Sequence, residues 1–197
     1  MAKIGLRWPV VAKIKNYTAG QAIEYEKGVL MGKAISANLA WNKSKSELYA
    51  DDALAESDEV ITGGSLTMGV DQVSYEGREV ALGQAVEIKD NGLGKYKITG
   101  IAAPYVGVGF VTETRIDEQR AYRAMWIHRV QFALQGETLQ TRGENVSYQT
   151  ETLDGSILAA MTGAEATNDF IDVEDMASAA EALAWLKNKA GNMDQEA

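Results

Sequence analysis

Apolar and polar residues alternate with a period of two along much of this chain. From Val29 to Trp41, the residues Met31, Ile35, Ala37, Leu39 and Trp41 share one face, interrupted only by Lys33. The other face is small: Gly32, Ala34, Ser36, Asn38, Ala40 and Asn42. This pattern predicts a long strand with one greasy side and one smooth side that meets water or another sheet. Leu66, Met68 and Val70 alternate with Ser65, Thr67 and Gly69, a half-buried strand. Shorter alternations run over Tyr96–Ala103, ended by Pro104, over Val106–Val111, and between Glu144 and Leu153, where Val146 and Tyr148 are the apolar members. From Arg120 to Leu134 one face reads Tyr122, Ala124, Trp126, His128, Val130, Phe132, Leu134. Turn residues punctuate these runs at Gly63-Gly64, Asp90-Asn91-Gly92, Gly136-Glu137 and Asp154-Gly155. About six mostly consecutive strands without βαβ alternation predict an antiparallel β-sandwich or barrel.

Two segments carry helical spacing instead. Ser74–Leu82 predicts a short flanking helix weakened by Gly77. The second is expected at about 173–190. Asp172 is placed to cap it, Glu174 and Asp175 fill its first turn, Lys187 and Lys189 its last, and Gly191 ends it. Val173, Met176, Ala180, Leu183 and Lys187 follow one face, so this C-terminal helix should lie on the sheet. Residues 192–197 read as a frayed tail. With no internal repeat, the chain is expected to form a single domain over 1–197, mainly β.

Between the first two long strands lies an acidic stretch, Glu47-Leu48-Tyr49-Ala50-Asp51-Asp52-Ala53-Leu54-Ala55-Glu56-Ser57-Asp58-Glu59. Residues 42–59 read as a long loop. A calcium loop needs oxygen ligands at alternating positions and a Gly at the sharp turn. Ala53 and Ala55 occupy the alternate positions after Asp51, and the next Gly is Gly63, so the calcium reading fails. The loop is then a solvated turn or a contact surface. Charge leaves both readings open, as complementary contact surfaces or as two solvated faces. Residues 1–46 hold eight Lys or Arg against two Glu, a balance of +6, which leaves −15 for the remainder of a chain whose net charge is −9. Such asymmetry suits surfaces that meet in complementary pairs. An acidic total argues against a duplex-binding protein, which needs a basic stripe.

Composition bounds the chemistry. At 197 residues, 46% hydrophobic and 24% charged, this is an ordinary globular chain. Pro9 and Lys13 leave the apolar run Val10-Val11-Ala12 too short for a signal peptide, and no stretch approaches transmembrane length. There is no Cys and one His, which excludes a nitrogen- or sulfur-based zinc or copper site within one chain. His128, mid-strand on an apolar face, reads as a core or interface histidine bonded to a neighbour. Gly107-Val108-Gly109 lacks the third Gly of a dinucleotide loop, since Thr112 stands there, and reads as strand or bulge glycine. Gly63-Gly64-Ser65-Leu66-Thr67 lacks the last Gly of a nucleophile elbow. Trp8, Trp41, Trp126 and Trp185 read as core rather than as a sugar-stacking platform. No catalytic residue, cofactor or metal is expected.

The order of segments carries more than any one of them. Gly28–Ser36, Glu47–Glu56, Gly64–Asp71, Arg78–Gly83, Ala103–Phe110, Tyr122–Phe132, Thr141–Tyr148 and Thr152–Ile157 follow one another over roughly residues 24–158. In that order they resemble the major tail proteins of phages with long, non-contractile tails, the subunits of the tail tube. The closing helix with Trp185 also resembles the family's usual end, whereas 159–172 matches nothing placeable. The resemblance implies a β-sandwich or barrel with a flanking helix. Six such subunits close a ring, rings stack into a tube, and DNA passes through the lumen without specific binding. It implies as partners further copies of the chain and the tape-measure, tail-terminator and tail-tip proteins. It places the protein in the virion tail after synthesis in the host cytoplasm, with no membrane anchor. The 42–59 segment corresponds to the family's long loop, which reaches a neighbouring subunit or ring. Lys43, Lys45, Glu47, Tyr49, Asp51, Asp52 and Glu56 are the candidate contacts. The alternatives are a small carbohydrate- or receptor-binding β-module and, from another class, a carboxylate-dependent hydrolase.

Overall fold

The computed structural model describes residues 3–50, 53–89, 93–116, 119–133, 150–162 and 167–193. In chain order the elements are β1 (Lys3–Asn16), β2 (Glu24–Tyr25), β3 (Val29–Leu30), β4 (Ala34–Ala50), β5 (Ala53–Val70), α1 (Tyr75–Leu82), β6 (Ala85–Ile88) and β7 (Gly94–Lys97). They continue with β8 (Tyr105–Ile116), β9 (Gln119–Ala133), β10 (Glu151–Ile157), β11 (Ala160–Thr162), β12 (Thr167–Asp169), β13 (Ile171–Met176) and α2 (Ala179–Lys189). The expected class holds: mainly antiparallel β, sandwich-like, with a short flanking helix and a C-terminal helix.

The main sheet runs β2-β1-β8-β9-β10-β5-β4, with β3 also paired to β1 and β13 to β9. It forks at β9. Tyr122–Ile127 pair with β13, whereas Val130–Ala133 pair with β10. The fork lets the sheet leave β9 in two directions and enclose a core. Residues of β1, β8 and β9 are buried on both faces. On one side Val11, Val106, Val108, Phe110, Met125 and Ile127 pack with Leu66, Met68 and Leu153 of the other strands and with Ala81 and Leu82 of α1. On the other side Val10, Ala12, Val111, Ala124 and Trp126 pack under Ala182 and Leu186 of α2. Double burial explains why β9 is apolar on consecutive positions, Ala124 to Ile127, rather than on alternate ones.

Several expectations are corrected. β1 escaped the alternation because Pro9 and its lysines break the pattern. Pro9 sits at a bulge between Arg7 and Val10, where a missing N–H costs no ladder bond, and its carbonyl accepts from Met31 N at 2.8 Å. The single strand expected over Val29–Trp41 is two. Gly32, at φ 150°, interrupts it, and a Cβ there would lie 2.3 Å from the Gln72 carbonyl. The smooth face of β4 meets water: Ser36, Asn38, Ala40 and Asn42 are exposed. The strand expected over Tyr96–Ala103 stops at Lys97. The strand expected from Glu144 begins at Glu151 among the described residues, and 144–149, with Val146 and Tyr148, lie outside them. So do the turns at 90–92 and 136–137.

The C-terminal helix starts later than expected. Residues 171–176 form β13, and Ser178 caps α2 through a reciprocal capping box with Glu181. Asp172 caps nothing, because its carboxylate is taken by His128 and Lys189. Met193, expected in a frayed tail, is buried against the α2 face of the sheet.

Candidate functional site

The segment expected as a loop at 42–59 is a β-ribbon. β4 and β5 stay paired from Ala34 opposite Val70 to Ala50 opposite Ala53, with shifts of register after Ala34, Asn42 and Leu48, and Asp51 and Asp52 between them lie outside the described residues. β10 flanks β5 only over Gly64–Val70. Beyond Gly63, therefore, no third strand joins the pair among the described residues. A bulge between Asn42 and Lys43 marks the root, the kind of irregularity that re-aims a strand. From Asn42 to Glu47 and from Ser57 to Thr62 every position is exposed, so both faces of this part of the ribbon are wet. That explains why the pattern read as a loop: with no buried face, nothing forces apolar residues to alternate.

The ribbon's faces differ in charge. Lys43, Lys45, Glu47, Glu59 and Ile61 share one face by register, and there Lys43 pairs with Glu59 and Lys45 with Glu47. The lysines are thus neutralised within the ribbon rather than held out to a neighbour. The other face carries Ser44, Ser46, Asp58 and Val60. Six acids against two lysines give residues 42–61 a charge of −4. Since the paired face balances, the excess lies with Asp58, Glu56, Asp51 and Asp52. Tyr49 and Glu56 are placed on strand backbone opposite Leu54 and Leu48, but their side chains are outside the described residues. Val60 and Ile61, 51% and 39% exposed, add β-branched apolar surface that the candidate set omitted. β4 is also the terminal strand of its sheet, so its outer edge is unpaired along its 17 residues among the described strands.

Polar clusters elsewhere serve the fold. His128 Nε2 lies 3.1 Å from Asp172 Oδ1, and Lys189 Nζ donates to Asp172 Oδ2 at 2.5 Å, which ties β9, β13 and α2 together. These two bonds hold the Asp172 carboxyl well below the usual carboxylate range. Tyr25, edge-on to Trp126 at 5.1 Å, donates to the His128 carbonyl at 2.9 Å, and burial pushes its phenol up. His128 is thus a core histidine bonded to a neighbour, as expected. Arg78 of α1, nearly buried, pairs with Glu151, which also accepts from Val73 N at 3.0 Å. An open groove of about 460 Å³ runs past Gly32, Lys33, Asp71, Tyr75, Glu76 and Ile88. Asp71 faces it and accepts from the backbone N–H groups of Lys33 and Gln72, which lower its carboxyl. Among the described residues no group of three His, Cys, Asp or Glu side chains converges to hold a metal ion, and no helix is long and apolar enough to cross a membrane. The ribbon and its edge are the feature that the fold itself does not use. No family model and no curated protein matches the chain.

Proposed function

We propose that this chain is the repeating subunit of a phage tail tube, assembling as hexameric rings that stack around a lumen through which DNA is ejected. The observation that carries the proposal is the β4–β5 ribbon with its open edge. A two-stranded ribbon standing in water is marginal alone, and a long unpaired edge is a template for another chain. Neighbouring copies satisfy both at once. The eight segments resembling tail-tube subunits, in their order, support the same reading. The role is structural, with no catalysis and no cofactor. Its partners are further copies of itself and the tape-measure, tail-terminator and tail-tip proteins of the virion. DNA passes without being gripped, in keeping with a subunit charge of −9. Light scattering and sedimentation over a wide range of protein concentration test this. Growth of mass toward rings and tubes is expected. A monomer at every concentration, including after addition of other tail components, would overturn it.

A further inference from the structure

Half of the strongly exposed large apolar side chains among the described residues fall within 88–105, including Ile88, Tyr96, Ile98 and Ile101 at 48%, 37%, 55% and 74% exposure. Exposed apolar residues gathered in one stretch of the chain suit a contact surface. It sits on a firm support. β6 and β7 pair from Ala85 opposite Lys97 to Ile88 opposite Gly94, Lys89 N donates to the Leu93 carbonyl at 2.8 Å, and the Arg78 guanidinium lies 4.4 Å from the Tyr96 ring centroid. The hairpin is therefore fixed to α1 before any partner arrives. Its charges are cationic in excess: Lys89, Lys95 and Lys97 against Glu87 and Asp90. Lys95 pairs with Glu87, while Lys89 and Lys97 make no ion pair among the described residues.

The ribbon is its complement. Val60 is an exposed apolar group on the same ribbon face as Asp58, which makes no ion pair among the described residues, and the segment carries −4. Within one chain the two surfaces belong to different parts of the fold, and no strand pairing joins them. We infer that the β6–β7 hairpin is the receiving surface for the ribbon of a second copy of this chain, with Val60 against Ile98 and Ile101 and Asp58, on the same ribbon face as Val60, against Lys89 and Lys97. Such a contact joins one patch to a different one; where it is not reciprocated across a two-fold axis it is heterologous and closes a ring or propagates. The inference rests on the proposed self-assembly and names the surface that receives the ribbon.

The absence of cysteine makes the test clean. A Val60→Cys protein and a differently tagged Ile98→Cys protein are mixed and oxidised under assembling conditions. Disulfide-linked pairs of the two different chains are expected, well above the yield from either protein alone. In parallel, Lys89→Glu with Lys97→Glu should raise the half-assembly concentration by about tenfold, and Asp58→Lys on the partnering copy should recover part of that loss. These side chains are exposed, so the melting temperature should stay near wild type. If the unaltered chain assembles while the mixed cysteines fail to link and the double reversal assembles normally, this contact is wrong and the assembly reading stands. If the unaltered chain never assembles, both fall.

Discussion

Gly107 and Gly109 of β8 face Trp126 on the neighbouring strand, and Gly109 is its direct cross-strand partner. A Cβ on Gly109 would lie 2.5 Å from the indole and 2.7 Å from Leu186 of α2. The glycines thus make the slot that lets a wholly buried tryptophan lie flat beneath the helix. Gly109→Ala is expected to destabilise the fold by about 1–3 kcal/mol, read from denaturant midpoints, because overpacking at this site moves both the indole and α2. An unchanged midpoint would mean that the slot is loose. Asp172 offers a test of charge. Its carboxyl is depressed chiefly by His128 and then by Lys189, so its contribution is present above the ordinary value of 3.8 and lost as pH falls through the folded value. Asp172→Asn should cost about 1 kcal/mol at pH 7, modest because the pair is partly exposed, and the difference from wild type should shrink below pH 4. A gap that persists undiminished at pH 3 would contradict this. Little of this detail was legible in the sequence. Gly107-Val108-Gly109 could be placed on a strand, but the residue it accommodates lies on the next strand. Likewise, Asp172 has the composition of a helix cap while its partners, at 128 and 189, are distant in the chain.

At the level of elements, the ribbon is separable from the fold. Ser46 stands opposite Asp58, so replacing Glu47–Ser57 by an Asn-Gly turn keeps the remaining register and closes the hairpin with a favoured two-residue loop. The shortened protein should fold, with a melting temperature near that of wild type, and fail to form long assemblies on sedimentation. Normal tubes from this variant would remove the ribbon from the account. Legibility here tracked burial. β8, β9 and β5 near Leu66–Val70 showed themselves because a core face imposes a hydrophobic pattern. Over Asn42–Glu47 and Ser57–Thr62 the ribbon has no buried face, so its sequence has the pattern of a loop. β1 carries Pro9 and a bulge, and β13 is specified by its pairing with β9 rather than by its own alternation. The start of α2 is legible in its residues: Ser178 and Glu181 spell a capping box six residues after Asp172. The candidate contacts rest on the resemblance and on their opposite charges, and part of that charge is internal to the ribbon. Lys43 and Lys45 stand on the ribbon as expected, but they are spent on Glu59 and Glu47 of the same ribbon.

For the whole molecule, an uneven distribution of charge and exposed apolar surface is more telling than the net −9. An acidic ribbon and a basic apolar hairpin on one chain suit an object built from many copies. A tube whose subunits carry this net charge should not hold duplex DNA. At low salt, titration of assembled protein with short duplex is expected to give no binding tighter than the roughly 10⁻⁶ M end of ordinary non-specific affinity. A firmer grip would reveal a basic lining and argue against a conduit. The most direct measurement is negative-stain electron microscopy of the purified chain at high concentration. Six-subunit rings with an open centre, and stacks of them, are the expected result. A field of isolated monomers or two-fold dimers at every concentration would contradict the account.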